Sequence, residues 1–188
     1  MQSDFMLVTP VALPPQSAIT NLYKSMNLAD AYSIRLPPSA SRDPDVLARF
    51  VFSHQPTWIG VLTKIRDAIV AGFGLKTSGR LASLPDAKAN RISFFKIYST
   101  SEAEIVLGED DKHLDFRVSL LCSKTDVSQI GHTLTLSTVV HCHNLLGRAY
   151  LSIIAPFHRR VVKDTLRRAA QIGWPENSNR SLGKVGNN

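Results

Sequence analysis

Five side chains with chemical capacity fall on two stretches at alternating spacing: His113, Asp115 and Arg117, then His141 and His143. Alternate residues of an extended strand point to one face, so each set shares a side. If the two strands are neighbours, imidazoles, a carboxylate and a guanidinium meet across the ladder. Arg117 could then hold a carboxylate or phosphate in a forked pair, and Asp115 could orient a histidine. The competing expectation is an outward sheet face whose charges pair in water, because one face of an antiparallel sheet commonly meets solvent.

The pair His141-x-His143 also has the spacing of a strand-borne chelate, but a catalytic metal needs a third ligand. Asn144-Leu145-Leu146-Gly147 follows with no carboxylate, so His113, Asp115 or Glu104 would have to reach in from other strands. We therefore expect no metal and no cofactor. Gly108-Glu109-Asp110-Asp111 lacks the ligand spacing of a calcium loop and is predicted to be a β-turn. Gly72-x-Gly74 lacks the third glycine of a dinucleotide loop, and no serine stands in a Gly-x-Ser-x-Gly setting. No residue is assigned a catalytic role. The two cysteines, Cys122 and Cys142, have no C-x-x-C spacing and are predicted to be small apolar residues on strands of a cytoplasmic, reducing-compartment protein.

The elements that must position these residues follow from period and punctuation. Residues 1–20 carry Pro10, Pro14 and Pro15 and predict an extended arm. Ala31–Leu36 predicts a first strand. Asp43-Pro44-Asp45 opens a helix whose apolar face holds Val46, Leu47, Phe50 and Val51. After Pro56, the residues Trp58, Leu62, Ile65 and Ile69 form a second helical stripe, with Trp58 in the core or at the mouth of a cavity. The period then changes to two. Strands are predicted over Ile92–Tyr98, Ala103–Leu107, 114–120 and 133–143, then Arg148–Ile154 after a tight connection at Asn144–Gly147. Phe157, Val161, Val162, Leu166, Ala169, Ala170 and Ile172 make the apolar side of a last helix that ends at Gly173.

The chain has 188 residues, 44% hydrophobic, which suits one domain over 1–188, with a core at about 28–173 and a flexible tail over 176–188. No apolar run is long enough to span a membrane. Of the net charge of +7, residues 158–188 hold +5, so the basic signal belongs to the C-terminal segment. Arg159, Arg160, Lys163, Arg167 and Arg168 have no aromatics among them, which argues against nucleic acid and for a solvated helix face.

Several separated segments also resemble the bacterial family called domain of unknown function 2867. They are Gly108–Arg117, His143–Leu151 with Pro156–Arg159, Asp30-Ala31-Tyr32, Pro56-Thr57-Trp58, and Gly72–Leu75. That family is similar in organisation to the helix-grip superfamily of START, polyketide cyclase and birch-pollen-allergen-like proteins. The resemblance implies an α+β helix-grip fold. In it an antiparallel sheet wraps a long C-terminal helix, with two further helices after the first strand. It also implies a small apolar or amphipathic ligand between sheet and helix. Candidate ligand-binding residues are then Trp58, His113, Asp115, Arg117, His141, His143, Arg148, Tyr150 and Phe157. An enzyme of cyclase or hydrolase type on the same cavity, and an interaction module using the basic helix, are the alternatives.

Overall fold

The computed structural model describes residues 5–55, 90–124 and 131–177. Seven strands form one sheet in the order β1-β2-β7-β6-β5-β4-β3, with every neighbouring pair antiparallel. They are β1 (Thr9–Val11), β2 (Leu28–Leu36), β3 (Arg91–Ile92), β4 (Phe95–Thr100), β5 (Glu104–Asp110), β6 (Leu114–Lys124) and β7 (His132–Cys142). Two helices are described, α1 (Pro44–Ser53) and α2 (Leu145–Ile172). The class is α+β, with the sheet set against the long C-terminal helix. The second helix expected after Pro56 lies outside the described residues. None of the described helices is long and apolar enough to cross a membrane.

Side-chain alternation sorts the sheet into two faces. Tyr32, Ile34 and Leu36 of β2, Val118, Leu120 and Cys122 of β6, and Leu134 and Leu136 of β7 point toward the helices. There they form the main core with Leu47 and Val51 of α1 and Val162, Leu166 and Ala169 of α2. The other face is not open to water. The N-terminal arm lies across it, and Ile19 is buried against Val106 and Val139, with Leu13, Tyr23, Met26 and Tyr98 around them. The arm is docked, its residues Thr9–Val11 add the edge strand β1 to β2, and from Pro14 to Leu22 it folds through successive turns.

α1 forms where the sequence places it. Asp43 Oδ1 accepts from the Asp45 amide at 2.9 Å, Pro44 stands in the first turn, and Arg49 pairs with Asp45 at 2.7 Å. Its buried face holds Pro44, Leu47, Ala48 and Val51, while Val46 turns outward.

Three expectations need correction. Asn144–Gly147 and Arg148–Ile154 are not a turn and a strand but the cap and first turns of α2. Asn144 Oδ1 accepts from the Gly147 amide at 3.0 Å, and the helix runs on through Pro156. Both sides of β7 are already paired, with β2 and β6, so a following strand has no free edge beside it. Gly108–Asp111 is likewise not the turn, because β5 continues to Asp110 and the chain reverses at Asp111–His113. Gly108 serves a close approach instead: an added Cβ would collide with the Phe116 carbonyl on β6. Finally, Ile92–Tyr98 splits into β3 and β4 at Ser93, whose φ of 56° makes the reversal. Beyond α2, Trp174 is buried, and the Ser41 amide donates to the Pro175 carbonyl at 2.6 Å.

Candidate functional site

The structure divides the candidate residues between the two faces of the sheet. Asp115, Arg117, His141 and His143 meet as their spacing predicts, since Asp115 is paired in register with His141. They meet on the arm side, away from α2. His143 Nε2 lies 3.1 Å from Asp115 Oδ1. His141 Nδ1 donates to the Ser25 carbonyl at 2.8 Å, and its ring stacks on Tyr23 and meets His143 edge-on. The Tyr23 hydroxyl is enclosed without a partner, and burial pushes its pKa up.

Arg117, only 9% exposed, is committed to its own protein. Nη2 lies 2.7 Å from Asp110 Oδ1, Nη1 donates to the Phe116 carbonyl at 2.8 Å, and the guanidinium sits 3.5 Å above the Tyr98 ring. The Tyr98 hydroxyl closes the triangle on Asp110 Oδ2 at 2.8 Å. Burial alone would raise the Asp110 pKa, but the bonds from Arg117 and Tyr98 more than offset it and hold it down. Tyr98 is raised, first by burial and then by its bond to Asp110. Both arms of the fork that Arg117 could offer a ligand are already engaged, one on Asp110 and one on the Phe116 carbonyl.

The same face carries a buried carboxylate that fastens the arm. Glu104 accepts from Ser17 Oγ and Ser119 Oγ, each at 2.5 Å, and from the Ala18 amide at 3.0 Å. Among the described residues no cluster of His, Cys, Asp or Glu is arranged to hold a metal ion.

The remaining candidates belong elsewhere. His113 precedes β6, with its ring against the Asn144 amide at 3.0 Å. Arg148, Tyr150 and Phe157 all ride on α2, where Arg148 and Phe157 are exposed and Tyr150 is half-buried. Trp58 lies outside the described residues.

Between sheet and helix stands a polar group that spacing alone does not single out. Asp30 of β2 and Thr138 of β7 are register partners on the helix side. His158 of α2 reaches Asp30, its Nε2 lying 3.3 Å from Oδ1. Asp30 Oδ2, Thr138 Oγ1 and Thr165 Oγ1 are enclosed with no hydrogen-bond partner. Thr138 and Thr165 are 3% and 2% exposed, so these oxygens stand within the apolar core contacts. The signal was present in the sequence. Extending the first strand back by one residue puts Asp30 in the inward row of Tyr32, Ile34 and Leu36, where an ionisable side chain is out of place. At the edge of this group, Lys163 Nζ lies 5.3 Å above the Tyr32 ring. Burial, and then Asp30, raise the pKa of Tyr32 against the opposing pull of Arg159.

Comparison with known proteins gives no match among curated proteins and none among solved structures. The sequence segments that meet in this sheet and helix do match one family model, over residues 22–165, and the chain belongs to that family, described as a protein of unknown function (DUF2867).

Proposed function

We propose that the protein binds a small amphipathic molecule between the sheet and α2, in the manner of helix-grip proteins. The observation that carries this reading is the set of inward oxygens without partners, on Asp30, Thr138 and Thr165. A buried polar atom left unpaired costs about 1–3 kcal/mol, so a chain retains one at a cost that a ligand can offset. The middle of α2 supports the same reading. From Arg148 to Val161 no residue is buried, although the stretch carries Tyr150, Leu151, Ile153, Ile154 and Phe157. Ile153 and Phe157 are 52% and 50% exposed, one helical turn apart. Ligand sites ordinarily combine apolar side chains with a few polar atoms, and we assign Phe157, the chain neighbour of His158 on α2, to the rim of this one.

Binding is favoured over a cyclase or hydrolase activity in that space, because Asp115, His141 and His143 lie on the opposite face of the sheet. The two buried free thiols accord with a reducing, cytoplasmic setting. The test uses N-phenyl-1-naphthylamine, a neutral apolar dye whose emission rises out of water. Saturable binding at one site per chain is expected, and Phe157→Asp should weaken it about tenfold or more through lost apolar contact. The absence of saturable binding, or an unchanged affinity in a folded Phe157→Asp protein, would sink the reading.

A further inference from the structure

The free atoms of this site also specify which end of a ligand they accept, an inference that rests on the binding reading above. We propose that the ligand's polar end is a hydrogen-bond donor, a hydroxyl or an amine, seated against Asp30 and Thr138. An ionised carboxylate only accepts hydrogen bonds. One oxygen of Asp30 is already engaged by His158 Nε2, and the other, Oδ2, is unused. Thr138 lies directly across the ladder, so its hydroxyl can return a hydrogen bond to the oxygen of an alcohol that donates to Asp30.

A carboxylate or phosphate head would instead face the Asp30 carboxylate, and like charges at close range in a poorly solvated place repel strongly. The described cations do not cancel this. Arg117 is on the other face and tied to Asp110, Lys163 lies over the Tyr32 ring, and Arg159 is exposed at the solvent edge. His158 faces the site, but its Nε2 is turned to Asp30. The head group reaches the enclosed oxygens by parting α2 from β2 along residues 148–161, where no residue is fully buried and the tie between the two is the His158–Asp30 pair.

The experiment displaces N-phenyl-1-naphthylamine from the native full-length chain with 1-decanol, decylamine and decanoate, which share one chain length and differ only in the head. Decanol and decylamine are expected to displace the dye at concentrations about tenfold lower than decanoate, the difference one charge-assisted hydrogen bond supplies. In Asp30→Asn the three should fall within about twofold of one another, since the charge is gone and the shape is kept. Thr138→Val, checked for an unchanged thermal midpoint, should weaken decanol and leave decanoate as it was. Decanoate equal to or better than decanol on the native chain overturns the head-group assignment and leaves the pocket reading standing. An undiminished preference in Asp30→Asn, or unweakened decanol in Thr138→Val, overturns it as well. If the dye and all three compounds fail to bind, the pocket reading falls and this assignment with it.

Discussion

Arg117 illustrates how far residue types and spacing reach. That it shares a face with Asp115 follows from period alone, because the parity of a strand fixes which side chains lie on one side. Its partners do not follow, since Asp110 and Tyr98 come from β5 and β4 and only strand pairing brings them near. The same holds for Asp30, whose inward placement is written in the alternation of β2 while its contact with His158 depends on how α2 lies. The Arg117–Asp110 pair makes a titration prediction. Asp110 has a depressed folded-state pKa, so its contribution to stability is complete above the unfolded-state value and is lost as pH falls through the folded one. In Arg117→Met the effect of burial is left with less opposition. The Asp110 carboxyl should then titrate higher, followed by NMR, and acid unfolding should begin at higher pH. An unmoved Asp110 titration would show that Arg117 does not hold its charge.

At the scale of elements, α1 and the second half of α2 are legible in the sequence and the start of α2 is not. Asp43-Pro44 announced α1, and it forms there. The start of α2 was hidden because Arg148–Ile154 is short enough to fit either period, and because Pro156 looked like a boundary. What decides it is tertiary: β7 has no free side, and Gly147 lets the first turn of α2 sit directly against the His113 carbonyl. A Cβ at position 147 would collide with that carbonyl oxygen, and the neighbouring contact is backbone that cannot swing aside. Gly147→Ala should therefore lower stability by about 1–3 kcal/mol in urea unfolding, even though alanine is the better helix former. A gain in stability would mean that α2 can shift away from the β6–β7 end at no cost.

For the whole molecule, charge and topology tell different stories. α2 carries Arg148, Arg159, Arg160, Lys163, Arg167 and Arg168 against a single acid, Asp164, which pairs with Arg160 and Arg167. Such exposed pairs contribute little to stability, so the surplus marks a solvated surface more than it supports the fold. Stability rests on the sheet, whose centre is unusual in order of assembly. The strands β3 to β7 are each joined to a sheet neighbour next in sequence, whereas β2 pairs with β7 across the chain from Leu28 to Val140. Closing so long a loop is entropically costly before any contact rewards it. Ile34→Val, on β2, should then speed unfolding and leave the refolding rate nearly unchanged in stopped-flow experiments, while Val118→Ala, on β6, should slow refolding. The opposite pattern would put β2 in the folding nucleus.

That order of assembly has a consequence for biosynthesis. The ribosome makes β2 early, and Tyr32, Ile34 and Leu36 leave the exit tunnel long before the strand that covers their edge exists. Until Cys142 has emerged, the nascent chain presents an apolar strand whose long edge toward β7 is open, which is the form that aggregates or recruits a holding chaperone. Any translational arrest before β7 is complete releases a chain whose central pairing has not been made.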